Sequence, residues 1–255
     1  MRAATVATAS PTNTGATGTL TFPGLTSIGT LSIQYQKLMT GLDLTGLTGS
    51  ATVVECIGNT AQTSLNMGTL TTVQHLNLQS LSALTTLNIS SLASITGWFT
   101  LQTCNLLASA PALTGKTINS LSWGSVMFST VSFTGVTITG TIAFTSMTLS
   151  GTLTLPSSGT YSVNFQTVGG FTAMNFGSAN VTNLTLNSCA NLTSLTVPPG
   201  NNSCLISYCS ALMSLTVGSQ PACSYFAVYS CGSIATLNLT GIATALIGLL
   251  KSCHG

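Results

Sequence analysis

Charged residues are nearly absent from this sequence. Four of its 255 residues are Lys or Arg and two are Asp or Glu, so that 2% are charged, against roughly 25% in an average soluble domain. Nucleic-acid binding needs clustered basic residues to neutralise phosphates, and no cluster is present. Acid–base catalysis usually needs paired carboxylates or a positioned histidine. We therefore expect neither a nucleic-acid partner nor an enzymatic activity, and no catalytic residue is assigned.

Long apolar runs and ligand-binding motifs are also lacking. The longest apolar stretch, residues 243–250, is interrupted by Thr244 and Gly248 and is far shorter than the ~20 residues of a membrane-spanning helix. The closest cysteines, Cys204 and Cys209, have no histidine nearby in the sequence, which is a poor match to a zinc site. The sequence thus predicts no membrane span, no metal site and no cofactor.

A short apolar–polar–apolar triplet recurs along the chain. Period-two alternation over a few residues, bounded by Gly and Ser, is typical of a β-strand. Strands this close leave no room for long helices between them. The sequence therefore predicts an all-β repeat solenoid with two short strands in each turn of about 21–22 residues. The first members of the clearest triplets are residues 20, 31, 42, 65, 76, 87, 142, 153, 163, 174, 184 and 195.

Three columns of residues align between successive turns in the C-terminal part. The first column is filled by cysteine, and Leu81 occupies the equivalent position in an earlier turn. A position that accepts either residue is a packing position, which favours free, apolar thiols. Disulfides between stacked cysteines stay open as an alternative, because neighbouring turns bring Cα atoms within disulfide range. The predicted ladder consists of Cys189, Cys209, Cys231 and Cys253, then Leu192, Leu212 and Ile234, then Leu195, Leu215 and Leu237.

The strings CANLTSLTV at 189–197 and CSALMSLTV at 209–217 share the pattern C-x-x-L-x-x-L-x-V. This pattern resembles leucine-rich repeats of the bacterial surface-protein type, which also occur in phage and virion fibre proteins. The resemblance is clearest over residues 183–255 and is weaker in the middle of the chain. It implies a solenoid with a structural or adhesive role.

The sequence predicts a flexible N-terminal arm at residues 1–19 and one solenoid over residues 20–255. The triplets become irregular over residues 98–130, around Trp98 and Trp123. Apolar residues recur at helical spacing over residues 241–251, which predicts a short C-terminal capping helix.

Threonine occupies many of the outward positions of the predicted strands. High β-propensity and hydrogen-bonding capacity on a neutral surface explain this choice. A flat, uncharged binding face is the alternative, of which an ice-binding solenoid is one form, although regular Thr-x-Thr arrays are scarce. The candidate face consists of Thr137, Thr139, Thr141, Thr152, Thr154, Thr185 and Thr196.

A neutral surface lacks the charge repulsion that keeps copies of a protein apart. We therefore expect a structural protein whose partners are other copies of itself, as a subunit of an extracellular or virion fibre or appendage. The alternative is a leucine-rich-repeat module that binds a cell-surface glycan or protein. The corresponding expectation is an extracellular or virion location. A classical signal peptide is not predicted, because residues 1–19 have no apolar core.

Overall fold

The computed structural model describes residues 4–9, 17–22, 25–219, 223–231, 234–240 and 246–251. These residues form parallel β-strands and contain no helix, so the predicted all-β solenoid is confirmed. No membrane-spanning helix was found among them. The chain divides into two compact units, Met1–Phe128 and Ser129–Gly255, and their boundary falls inside the stretch predicted to be irregular.

The described residues of the first unit form ten strands. They are β1 (Ala4–Ala9), β2 (Gly18–Thr21), β3 (Leu25–Gln34), β4 (Met39–Asp43), β5 (Thr48–Ile57), β6 (Ser64–Asn66), β7 (Thr69–Gln79), β8 (Thr86–Asn88), β9 (Ser94–Gln102) and β10 (Thr117–Gly124).

Ten more strands lie in the described part of the second unit. They are β11 (Thr137–Ile138), β12 (Thr141–Thr154), β13 (Ser158–Asn175), β14 (Asn180–Asn187), β15 (Ser194–Val197), β16 (Ser203–Ser207), β17 (Ser214–Val217), β18 (Tyr225–Tyr229), β19 (Thr236–Asn238) and β20 (Leu246–Lys251).

Strands of successive turns pair in parallel and nearly in register. In the first unit β1, β3, β5, β7, β9 and β10 follow one another, and β2, β4, β6 and β8 form a second sheet. In the second unit β12, β13, β14, β16, β18 and β20 follow one another, while β15, β17 and β19 continue the second half of β13. Leu31 pairs with Val54 and Leu184 with Cys204, so one turn takes 20 to 23 residues.

Apolar side chains fill the interior in columns that run from turn to turn. Leu31, Val54, Leu76 and Phe99 are all fully buried, and each pairs with the next in the strand register. Aromatic residues stack in the second unit in the same way, with ring centroids 4.9 Å apart for Phe144 and Phe165. The triplet positions identified in the sequence therefore face inward because strand alternation places them there.

One corner of every turn contains a residue in the left-handed backbone region. At several of these corners the N–H group donates to a carbonyl of the following turn, as from Ser80 to Gln102 O at 2.9 Å and from Tyr208 to Tyr229 O at 3.1 Å. The corner reverses the chain sharply, and the next residue is buried. These corner residues are Tyr35, Gly58, Ser80, Thr103, Ser125, Ser146, Thr167, Ser188, Tyr208 and Ser230.

Two terminal predictions need revision. Residues 246–251 form strand β20, which pairs in parallel with β18, so the capping helix predicted over 241–251 is not found there; residues 241–245 lie outside the described residues. Continued pairing with a parallel neighbour favours the extended backbone over a helix. Within the predicted arm, residues 4–9 form β1 and pair with β3.

The irregular stretch 98–130 retains two strands. Strands β9 and β10 keep Phe99, Leu121 and Trp123 buried in the inward columns. Trp123 packs edge-on against Phe99 and Phe128, with ring centroids 5.4 Å and 5.5 Å apart. Residues 103–116 between the two strands contain no strand, which explains why the triplet pattern is lost there.

The corner column makes a prediction at Ser80, whose φ is 53°. A β-branched side chain is strained in this region, so Ser80→Val should lower the free energy of unfolding by about 1–2 kcal/mol. Ser80→Gly removes the strain and should not destabilise the protein. Urea unfolding followed by circular dichroism measures both variants. Equal unfolding midpoints for Ser80→Val and the wild type would contradict this account of the corner.

Candidate functional site

The cysteine column lies at the corner of each turn, directly after the left-handed residue. Cys189, Cys209 and Cys231 are buried, and their thiols point to backbone carbonyls two residues earlier, at 4.0, 3.5 and 3.4 Å. All seven cysteines in the described residues are free. Cys253 lies outside the described residues. The column therefore acts as packing in this structure.

The leucine columns of the predicted ladder are inward except at their end. Leu192, Leu212, Leu195 and Leu215 are buried. Ile234 is half-buried, and Leu237 is 39% exposed. Leu237 belongs to β19, which pairs with β17 and has no second strand neighbour in the described part of the chain. Its exposure follows from this missing neighbour.

The thiols are held protonated. Burial raises the pKa of Cys56 to about 12 and that of Cys104 to about 11. The side-chain hydrogen bond with Cys189 raises the pKa of Cys209 to about 12. A thiol with a raised pKa is a poor nucleophile and metal ligand, since the thiolate is the reactive form. Cys56, Cys104 and Cys209 thus supply no reactive thiolate at neutral pH.

The raised thiol pKa values make stability depend on pH above 9. Unfolded thiols ionise near their ordinary pKa of 9.0, whereas Cys56, Cys104 and Cys209 stay protonated to about pH 11 or 12 when folded. The folded state then binds more protons, so the free energy of unfolding falls as pH rises above 9. Each thiol contributes a slope approaching about 1.4 kcal/mol per pH unit.

Urea unfolding at a series of pH values from neutral to strongly alkaline measures this slope. The Cys104→Ala variant is the control, because one ionising thiol fewer should make the slope shallower whatever its effect on absolute stability. A stability that stays constant well above pH 9 would contradict the raised pKa values.

Asp43 and Glu55 each accept hydrogen bonds from neighbouring residues, and these bonds lower the pKa of both carboxyl groups. Burial raises the pKa of Glu55, but hydrogen bonds from Ser32, Asn77 and Gln34 outweigh it and keep the pKa below its ordinary value. Hydrogen bonds from Thr45 lower the pKa of Asp43.

His75 is half-buried, and its Nδ1 accepts a hydrogen bond from Trp98 N at 3.2 Å. Among the described residues, no three His, Cys, Asp or Glu side chains form a group that could hold a metal ion.

The seven threonines of the predicted face are all partly or fully exposed but do not form one array. Thr141 stands beside Ser162, and Thr185 stands between Asn164 and Leu205. Thr137 pairs with Ser158, and Thr139 lies between β11 and β12.

The other three threonines lie on later strand segments of the second unit. Thr152 and Thr154 belong to the second half of β12, and Thr196 lies on β15. Thr152 pairs with Ala173, Thr154 with Asn175 and Thr196 with Thr216. The rows therefore mix threonine with serine, asparagine and apolar residues.

Many hydroxyls serve the backbone, a role that the sequence interpretation did not assign to them. The hydroxyl of Thr63 donates to Thr40 O at 2.9 Å, and that of Thr85 donates to Thr63 O at 3.1 Å. Thr69 donates to Leu47 O at 2.6 Å. Each bond joins a side chain to a carbonyl of the preceding turn. The recurrence of threonine one turn apart is the sequence signal that could have identified these bonds.

Replacing one such hydroxyl tests its contribution. Thr69→Val keeps the side-chain shape and β-propensity but removes the donor to Leu47 O, and should lower the free energy of unfolding by about 1 kcal/mol. Thr69→Ser keeps the hydroxyl and should lose less. Urea unfolding compares the two variants with the wild type. If Thr69→Val is as stable as the wild type, the hydrogen bond from the Thr69 hydroxyl does not contribute to the free energy of unfolding.

Buried polar side chains occupy positions that apolar residues hold in other turns. Asn59 takes the place of Leu81, accepts a bond from Gln36 N at 2.8 Å and donates to Ile33 O at 3.0 Å. Lys116, 5% exposed, donates its Nζ to the carbonyls of residues 90 and 92, and burial lowers its pKa. Aligning the turns column by column predicts Asn59, whereas Lys116 follows an irregular segment that offers no column.

Open depressions mark the surface, among them one in each unit. The first, of about 450 Å³, crosses strands β3, β5, β7 and β9. The second, of about 350 Å³, is lined by residues of β12 and of the segment before β11, and includes Thr152 and Thr154 from the predicted face. Both are bordered by neutral side chains, so their chemistry is hydrogen bonding and packing.

Searches of protein-family models, curated proteins and solved structures found no match to this chain.

Proposed function

We propose that this chain is a non-enzymatic structural protein that associates with copies of itself, as a subunit of an extracellular or virion fibre or appendage. The observation that carries the proposal is a surface with exposed apolar side chains and almost no charge. Burial of such side chains between copies is favourable, and the neutral surroundings provide little repulsion against it.

The exposed apolar side chains are distributed over turns and strands of both units. Leu38 and Leu106 are 58% and 57% exposed at equivalent positions of two turns. Where the structure describes the burial of charged side chains, Lys37 is exposed, Asp43 and Glu55 are half-buried, and Lys116 is buried. The full set of large exposed apolar residues is Tyr35, Leu38, Trp98, Leu106, Met127, Tyr208, Met213, Tyr225 and Leu237.

Strand edges and the sequence pattern add support. Among the described strands, β1 pairs with β3 alone and β20 with β18 alone, and an open strand edge is a template for pairing with another chain. The C-x-x-L-x-x-L-x-V pattern of residues 189–197 and 209–217 resembles leucine-rich repeats of surface and fibre proteins. Together these features favour assembly as the function.

Sedimentation velocity over a wide concentration range, with negative-stain electron microscopy of the same samples, tests the proposal. The wild type should form larger species as concentration rises. Replacing Leu38, Leu106 and Met127 together by Gln should weaken this association, because three exposed apolar side chains are removed without adding charge.

The matched control places Gln at Thr21, Thr60 and Thr114, which are exposed in the same unit. It should associate like the wild type. A wild-type chain that remains monomeric and evenly dispersed at high concentration would refute the proposal.

A further inference from the structure

The depression in the first unit is a groove formed by a bend in four consecutive long strands. In β3, β5 and β7 two outward residues separate consecutive buried positions, as between Ile28 and Leu31. The strands bend there, and the outer surface becomes concave across four turns. Ile28 and Ala51, both buried, lie beneath it. The groove crosses about 14 Å of stacked strands, which suits an extended ligand.

Most polar side chains of this groove are not used by the fold; Thr72, whose hydroxyl shares a hydrogen bond with Ser94 Oγ at 3.0 Å, is the exception. Elsewhere in the same unit, hydroxyls such as those of Thr63, Thr69 and Thr85 donate to carbonyls of the preceding turn. Within the described part of the chain, by contrast, five side chains that line the groove make no hydrogen bond to another protein group. They are Ser27, Ser50, Thr52, Gln74 and Thr96.

The groove has no charged side chain among its lining residues. Its hydroxyl and amide groups can both donate and accept hydrogen bonds, which matches a ligand covered with neutral hydroxyl groups. A charged ligand would find no counter-ion there. A purely apolar ligand would leave the five polar side chains without partners, at a cost in binding free energy.

The fourth strand of the groove, β9, carries an exposed aromatic residue just after its groove residue Thr96. Trp98 comes two residues after Thr96 and is 43% exposed. The backbone N–H group of Trp98 donates to His75 Nδ1 at 3.2 Å. A side chain at Gly97 would lie 2.5 Å from His75 Cε1, so only glycine allows this close approach. The backbone that carries the tryptophan is therefore fixed beside the groove.

We propose that this groove binds a neutral oligosaccharide. Trp98 provides the apolar platform for one face of a sugar ring, as exposed aromatic rings do with an apolar body and a polar rim. Gln74, Thr52 and Ser50 exchange hydrogen bonds with the sugar hydroxyls. This binding site goes beyond the proposed assembly role and does not depend on it.

Isothermal titration of the full chain with maltohexaose, cellohexaose, laminarihexaose and mannohexaose tests the site, with oligogalacturonate as the acidic probe. At least one neutral probe should bind and change the tryptophan emission, since the second tryptophan, Trp123, is fully buried. Trp98→Ala should weaken that binding by about tenfold, the loss expected for one stacking contact. Gln74→Ala should weaken it by a smaller factor.

Thr60→Ala, an exposed position outside the groove, is the matched control and should bind like the wild type. Trp98→Phe should retain most of the affinity because it keeps a ring. The proposal is overturned if no neutral probe binds, if the acidic probe binds more tightly than all neutral ones, or if Trp98→Ala binds unchanged. Circular dichroism of each variant establishes that the fold is intact.

Discussion

Every turn of this protein depends on hydrogen bonds to the turn before it and the turn after it. The strands provide most of these bonds through parallel backbone pairing, but a solenoid turn also has corners where the regular ladder is interrupted. At the corners, left-handed residues such as Ser80 direct their N–H groups to the next turn. Hydroxyls such as that of Thr69 reach back to carbonyls of the previous turn. Backbone groups at these corners are thereby satisfied by other backbone groups and by neutral hydroxyls, and Lys116 is the charged side chain that the described residues use for the same purpose.

The need for hydrogen bonds between turns explains part of the unusual composition, namely the many threonines and the few charged residues. A hydroxyl one turn along the chain is short enough to reach the neighbouring carbonyl, whereas Lys and Glu side chains are long and retain their hydration. Threonine also favours the extended backbone. The scarcity of charge is therefore not solely an adaptation of the outer surface. The groove in the first unit differs, because the hydroxyls of Ser27, Ser50, Thr52 and Thr96 make no such bond within the described part of the chain.

The inward columns were predictable because strand alternation and turn length are both visible in the sequence. Leu76, Leu184 and Cys209 lie where the triplets and columns place them. The bent strands were not predictable, since a bend depends on contacts between turns. The threonine face was an alternative to a purely structural use of threonine, and the strand register places its members in several rows beside serine, asparagine and apolar residues. Trp98 was recognised only as an irregularity, because its exposure beside a groove depends on contacts between turns, namely the close approach of Gly97 to His75 and the bond from Trp98 N to His75.

The corner column also bears on how such a chain can change in length over evolution. Each turn begins and ends at the same corner, and turn length already varies between 20 and 23 residues without loss of the columns. Duplication or deletion of one whole turn leaves every remaining residue facing a suitable neighbour. A single-residue insertion within a strand instead reverses the facing of all residues after it. Growth by complete turns is therefore the change that this architecture tolerates best.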